Sequence, residues 1–276
     1  MSQSPELFWF TLELAAAGVF AGVIAGVLAG LFGIGGGAIL VPVFYQALGL
    51  LEVDDAVRMH LSIGTSLAII VPTSIRSFMA HHKRGAVDMD LLRSWLLPVP
   101  AGVVAASLIV AFVSSAALRG IFAVIAILVG LRMLFNRQGW RLGSDLPGNP
   151  ARAAVGAVIG LLSALMGIGG GVLNNTFMTL FGRPVHQAVA TSAGVGALIS
   201  IPGLIGYVWA GWGVAGLPPF STGFVNWVAV LLIIPITMMA APLGVRLAHA
   251  LDKRQLEVAF GLFMLLVAAR FLYSLG

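Results

Sequence analysis

The sequence predicts an all-α protein that crosses a membrane many times. Hydrophobic residues make up 59 % of the 276 residues and 35 residues are glycine, whereas only 9 % are charged. Soluble domains carry about 25 % charged residues, because polar groups must cover their surface. The mean hydropathy of +1.04 therefore excludes a soluble enzyme, a disordered chain and a nucleic-acid-binding protein. The apolar runs are continuous rather than alternating, which favours helices over a transmembrane β-barrel.

The apolar runs predict about eight long helical segments and two short ones. A membrane-spanning helix needs about 20 mainly apolar residues. Both short runs follow clusters of glycine, which break helices. The long segments are 8–32, 56–80, 90–113, 117–135, 151–166, 186–210, 224–248 and 254–275, and the short ones lie near 36–50 and 170–182.

Sequence matches in the same order indicate an internal duplication. The letters GIGGG occupy residues 33–37 and again 167–171, and GTS at 64–66 corresponds to ATS at 190–192. We therefore expect a first transmembrane repeat at 1–135, a cytoplasmic linker at 136–152 and a second transmembrane repeat at 153–276. Further matches pair Gly85 with Gly211, Pro100-Ala101-Gly102 with Pro242-Leu243-Gly244, and Arg132 with Arg270.

The charge distribution predicts that the two repeats are inverted. If each short segment forms a hairpin with the segment before it, each repeat makes an odd number of passes. With both termini outside, twelve of the fifteen lysines and arginines fall on the cytoplasmic side, and only Arg58, Arg119 and Arg270 remain outside. We chose this orientation because it best satisfies the positive-inside rule. Inverted repeats with broken helices are typical of transporters.

The two glycine clusters are the strongest candidates for a binding site. Broken backbone at membrane depth is tolerated only where it is buried in protein or lines a cavity. A helix that restarts after such a break presents free N–H groups and a positive dipole end, which bind anions. Close packing of helices is the alternative explanation, and it is our interpretation of the glycine stripe Gly18, Gly22, Gly26 and Gly30. The candidate glycines are Gly33, Gly35, Gly36, Gly37, Gly167, Gly169, Gly170 and Gly171.

The segments around both clusters resemble a known family. GLFGIGGGAILVPVF at 30–44, GTSL at 64–67, and the second GIGGG and ATS motifs are similar to those of the TauE/SafE sulfite and organosulfonate exporters. The resemblance covers nearly the whole chain. It implies an anion transporter of the cytoplasmic membrane that carries sulfite, sulfoacetate or a related sulfur compound.

Polar side chains near the breaks are further candidates for substrate contacts, because polar groups at membrane depth are costly unless paired or functional. Asn174 and Asn175 stand where the first repeat has Leu40 and Val41. Helix capping is the alternative role for the asparagines, and bonding to a helix carbonyl is the alternative for the hydroxyls. The candidate hydroxyl residues are Thr65, Ser66, Thr191 and Ser192.

Arg76 is a candidate counter-ion, because a guanidinium group suits an oxyanion. The alternative is that its side chain extends to the membrane surface. The sequence shows no set of residues typical of catalysis and no metal-ligand spacing. We therefore expect no catalytic residue, no metal and no cofactor.

The repeats and glycine breaks predict a secondary transporter that works by alternating access around the two breaks, and the resemblance implies that it is an exporter of a small sulfur-containing anion. An anion channel is the first alternative. An intramembrane enzyme or electron-transfer subunit is the second, although all five histidines lie near loop ends, which argues against haem. The expected partners are the small anion and the bilayer, without nucleic acid, and the expected assembly is a monomer or homodimer in the inner membrane.

Overall fold

The computed structural model describes residue 19 and residues 22–28, 37–135, 141–249 and 251–275. Within these residues the chain is almost entirely helical, apart from a two-stranded hairpin, so the predicted all-α class is confirmed. Most of the predicted segment 8–32 and the glycines Gly33, Gly35 and Gly36 lie outside the described residues.

Besides the helical residues 22–28, the first half of the chain contains five helices with described bounds. The predicted segment 90–113 forms two helices rather than one, because Pro98 and Pro100 have no N–H to continue the hydrogen bonds of the preceding turn. The other boundaries lie within a few residues of those predicted. The helices are α1 (Gly37–Leu50), α2 (Asp55–Lys83), α3 (Met89–Ser94), α4 (Pro98–Val110) and α5 (Ser115–Phe135).

The second half also contains five described helices, together with the hairpin. The hairpin strands pair antiparallel between α8 and α9. The elements are α6 (Ala151–Met166), α7 (Gly171–Leu180), α8 (Val185–Ala210), β1 (Ser221–Thr222), β2 (Val225–Asn226), α9 (Trp227–His249) and α10 (Lys253–Tyr273).

Four helices of the described chain are long and apolar enough to cross a membrane: Asp55–Lys83, Ser115–Phe135, Val185–Ala210 and Arg254–Tyr273. Large apolar side chains also face outward, including Leu97, Phe112 and Met239, which are 82 %, 87 % and 80 % exposed. Exposed apolar surface of this extent fits a lipid environment and not water. The protein is therefore a multi-pass membrane protein.

Helices α2 and α8 form the centre of the molecule and run antiparallel. A Cβ atom added at Gly64, early in α2, would lie 3.1 Å from Cβ of Tyr207, late in α8. At the other end of the pair, a Cβ atom at Gly194 would lie 3.1 Å from Cδ2 of Phe78. The sequence matches pair these two helices as counterparts in the predicted duplication, and their opposite directions are consistent with inverted repeats.

The counterpart helices α5 and α10 pack in the same antiparallel way. A Cβ atom at Gly130 would lie 2.9 Å from the carbonyl oxygen of Gly261, so the two backbones touch. Two glycines of the stripe before the first cluster also pack closely, whereas Gly18 and Gly30 lie outside the described residues. Cβ atoms at Gly22 and Gly26 would lie 2.9 Å from Cγ2 of Ile236 and 2.8 Å from Cβ of Ala240, both on α9. The packing interpretation is therefore confirmed for these two glycines.

The loops collect at two opposite ends of the helix bundle. At the first end, Arg119 joins Asp55 at 2.7 Å and the carbonyl oxygen of Ser274 at 3.1 Å, which brings the starts of α2 and α5 to the end of α10. At the second end, Arg183 joins Asp145 of the linker at 2.9 Å. The loops that these contacts bring to one end are the loops that the charge pattern places on one side of the membrane. Which end faces the cytoplasm stays a prediction.

Candidate functional site at the meeting of the two glycine breaks

The break in the second repeat is formed by glycines in left-handed backbone conformation. Helix α6 ends at Gly167 with φ 67°, and α7 begins after Gly170, whose φ is 71°. A residue with a side chain costs about 1–2 kcal/mol in this region, because its Cβ approaches the following carbonyl oxygen. The repeated glycines are therefore needed for the chain to reverse direction between α6 and α7.

The start of α1 contacts this break directly. A Cβ atom at Gly37 would lie 2.8 Å from Cα of Ile168 and 3.1 Å from the carbonyl oxygen of Gly167. In return, a Cβ atom at Gly167 would lie 2.7 Å from Cγ2 of Val41 on α1. The structure thus brings Gly37, the last glycine of the first cluster, against the second cluster, with no space for a side chain between the two backbones.

The contact lies halfway along the central helices. A Cβ atom at Gly169 would lie 3.1 Å from Cγ2 of Ile70 on α2 and 3.5 Å from Cα of Gly196 on α8. Ile70 and Gly196 are each near the middle of their helix. Transporters built from inverted repeats bind substrate at this depth, between the repeats.

Thr65 and Thr191 join the repeats through one repeated arrangement. The backbone N–H of Asn226 donates to Oγ1 of Thr65 at 3.1 Å, and the backbone N–H of Asp88 donates to Oγ1 of Thr191 at 2.9 Å. Asn226 and Asp88 each then accept, through their side chain, a backbone N–H three residues further on, at 2.9 and 3.0 Å. In both repeats, a residue that begins a helix is therefore held by a threonine of the other repeat.

Ser66 and Ser192 also have partners. Ser66 donates to the carbonyl oxygen of Gly167 at 2.8 Å, across the repeat interface. Ser192 accepts from Nδ2 of Asn174 at 2.7 Å and donates to Oδ1 of Asn175 at 2.6 Å. The hydroxyl groups of Ser66 and Ser192 thus hold the second break and the first turns of α7 in place.

Asn174 and Asn175 differ in which side-chain group lacks a hydrogen-bond partner among the described residues. Asn174 is completely buried and its Oδ1 has no hydrogen-bond partner among the described residues. Asn175 is half-buried, and no hydrogen bond from its Nδ2 is present in the described part of the chain. Its amide therefore retains two N–H donors beside the start of α7.

The sequence did not indicate two further polar groups next to this cluster. Arg132, half-buried near the end of α5, donates to Oγ1 of Thr176 at 2.5 Å. Ser163 is fully buried, and its Oγ has no partner in the described chain although it lies 3.6 Å from the position of a Cβ atom at Gly170. An unpaired buried hydroxyl is costly, so it is a ready partner for a polar ligand at the break.

Arg76 lies apart from this group. Its side chain is exposed on α2, and the described structure shows no hydrogen bond or ion pair for it. Its role as a counter-ion stays a prediction. No cluster of three or more His, Asp or Glu side chains that could hold a metal ion occurs among the described residues.

Comparison with known proteins identifies the family. The profile of the Sulfite exporter TauE/SafE family matches residues 18–271. A probable membrane transporter protein of Haemophilus influenzae is 31 % identical over 86 % of this chain and 90 % of its own length. One of Methanocaldococcus jannaschii is 29 % identical over 86 % of this chain and 90 % of its own, and no solved structure matches significantly. The chain therefore belongs to the Sulfite exporter TauE/SafE family of membrane transporters.

Proposed function

We propose that the protein exports a small sulfur-containing oxyanion across the cytoplasmic membrane, as a secondary transporter with its substrate site between the two glycine breaks. The observation that carries this proposal is the contact of Gly37 with Gly167 and Ile168 at mid-length of α2 and α8. Helix α1 begins at this contact, and α7 begins at Gly171, a few residues after it. Such paired helix starts are the means by which membrane transporters hold anionic groups without a buried positive side chain.

The groups around the contact suit a sulfite or sulfonate oxygen. The first N–H groups of α1 and α7 have no partner within their own helix. The amide of Asn175 and the hydroxyl of Ser163 add neutral donors. Arg132 adds a positive charge near the middle of α7, where it donates to Thr176. Several donors that surround a small anion can replace the water molecules it loses.

The close packing of the breaks supports alternating access. Because no Cβ atom fits between Gly37 and Ile168, an anion enters only when the two backbones separate. Thr65 lies five residues before Ile70 and Thr191 five residues before Gly196, so their contacts with Asn226 and Asp88 join the repeats on opposite sides of the breaks. Opening at one end while the other stays joined would expose the breaks to one side of the membrane at a time.

The proposal is tested with purified protein in liposomes. Vesicles loaded with unlabelled sulfite should take up labelled sulfite from outside by exchange, with a rate that saturates as the external concentration rises. Sulfate, thiosulfate, sulfoacetate and taurine, added as competitors, define the substrate class. Flux that rises linearly with concentration and is not stimulated by internal sulfite would identify a channel and contradict the proposal.

A further inference from the structure

The first end of the bundle contains a basic cavity, away from the glycine breaks. This pocket has a volume of about 370 Å³ and lies where the ends of α1 and α10 meet the starts of α2 and α5. At about 30 Å³ per water molecule, it holds roughly a dozen waters, or a small ion with part of its hydration shell. Its polar lining consists of Tyr45, Gln46, Asp55, Arg58, Arg119, Arg270 and Ser274.

The charges of this pocket are unbalanced. Three guanidinium groups, those of Arg58, Arg119 and Arg270, face one carboxylate, that of Asp55. They are the same three arginines that the charge pattern leaves on the predicted outer side. At the opposite end, a single arginine, Arg183, instead lies between two carboxylates, those of Asp145 at 2.9 Å and Asp88 at 3.7 Å. The pocket is therefore a local excess of positive charge, which attracts an anion.

Arg119 is held rigidly inside the pocket. Its side chain is 6 % exposed and donates to Oδ2 of Asp55 and to the hydroxyl of Tyr45, both at 2.7 Å, and to Ser274 at 3.1 Å. Its Nε–H is buried and has no partner among the described residues. A buried charged donor without an acceptor is costly, and an anionic oxygen would satisfy it.

Arg58 and Arg270 complete the site from two other helices. Arg58 is fixed by the carbonyl oxygen of Val53, which accepts from Nη2 at 2.7 Å, while its Nη1 is 3.5 Å from the Asp55 carboxylate. Arg270 is exposed at the rim, and the described part of the chain shows no ion pair for it. The guanidinium group of Arg119 is therefore buried, that of Arg58 is fixed by hydrogen bonds, and that of Arg270 can move toward a ligand.

We propose that this pocket binds a small oxyanion of the sulfate, sulfonate or phosphate type, held by Arg58, Arg119 and Arg270. Planar guanidinium groups match the oxygen pairs of such anions and bind them through parallel hydrogen bonds. The site is distinct from the breaks, since its arginines lie at the end of the bundle and not at mid-length of α2. It exists whether or not the breaks transport the same anion.

The test is equilibrium binding of labelled sulfate to the full chain purified in detergent. Arg270→Gln should weaken binding about tenfold, which corresponds to the loss of one charge-assisted contact. Arg58→Gln should weaken it similarly, and higher salt should weaken it further. Arg84→Gln, an exposed arginine at the second end, is the control and should bind as the unaltered protein does. Unchanged binding in both pocket variants would overturn the proposal.

A second arm identifies the source of the oxyanion and separates this site from the breaks. Phosphatidylglycerol in nanodiscs should compete with sulfate if a lipid headgroup occupies the pocket, and Arg270→Gln should abolish that competition. If a soluble anion is the ligand, the lipid should have no effect while free sulfite and phosphate compete. Gly170→Val, which alters the break, should leave the arginine-dependent sulfate binding intact. Loss of that binding in Gly170→Val would contradict a separate site.

Discussion

Ser66 donates a hydrogen bond of 2.8 Å to the carbonyl oxygen of Gly167, although 101 positions separate the two residues. Gly167 follows the last turn of α6, where carbonyl groups lack partners within the helix. The bond therefore satisfies a buried acceptor and fixes the glycine break of the second repeat to a helix of the first. The same break contacts Gly37, so Ser66 holds together the proposed substrate site.

Ser66→Ala should lower the free energy of unfolding by about 1–2 kcal/mol, because the Gly167 carbonyl would be left without its donor. The measurement is denaturant-induced unfolding of the protein in detergent. Ser62→Ala is a matched control, since Ser62 is equally buried on the same helix but donates only to the carbonyl of Arg58 within it. Equal effects of the two changes would contradict a specific role for the bond between the repeats.

Thr65→Val and Thr191→Val should destabilise the protein by similar amounts, about 1 kcal/mol each. Each change leaves a backbone N–H unpaired at the start of a helix in the other repeat, that of Asn226 or of Asp88. Unfolding in detergent measures both. Thr73→Val is the control, because Thr73 bonds only to carbonyls of its own helix. A loss in one variant alone would show that the two arrangements are not equivalent.

Asn175→Val, which introduces the residue type of the first repeat, should weaken substrate binding by about 1–3 kcal/mol. The side chain would lose its free amide donors beside the start of α7, and a site built on hydrogen bonds discriminates through such donors. Calorimetry on the purified protein measures the affinity. Val41→Ala, at the equivalent position of α1, should leave the affinity nearly unchanged. Equal affinities in both variants would assign Asn175 a purely structural role.

Single introduced cysteines can test the orientation of the repeats without background labelling, because the natural chain contains no cysteine. Cysteines replacing Asp54 and Ser221, at the first end, should react from outside the cell with an impermeant thiol reagent. Cysteines replacing Gly85 and Ser144, at the second end, should react only after the membrane is opened. Labelling of position 144 from outside would contradict the predicted inverted topology.

Much of the helical framework can be predicted from apolar run length and from glycine and proline. The sequence interpretation ends α8 at residue 210 and α5 at residue 135, as the structure does. It joins α3 and α4 into one segment, because the run between them is apolar throughout. Pro98 and Pro100 each remove one helical hydrogen bond, and this local effect separates α3 from α4.

The partners of the polar side chains could not be predicted, because they depend on distant parts of the chain. Nothing near Thr65 indicates that its acceptor oxygen meets the N–H of Asn226, 161 positions away. The sequence alone also did not predict the basic pocket. Arg58, Arg119 and Arg270 lie on three different helices. The antiparallel packing of α5 and α10 brings Arg119 to the end of α10, and the contact of Arg119 with Asp55 adds the start of α2.

The measurement that tests the central claim most directly is sulfite exchange in liposomes by two glycine variants. Gly170 and Gly213 both have left-handed backbone, with φ of 71° and 75°, so valine strains both positions. A Cβ atom at Gly170 would lie 2.6 Å from Cδ1 of Ile199 inside the break, whereas one at Gly213 would meet nothing within 4 Å. We expect Gly170→Val to abolish exchange while the protein still inserts into the membrane, and Gly213→Val to retain it. Normal exchange by Gly170→Val would contradict a substrate site at the glycine breaks.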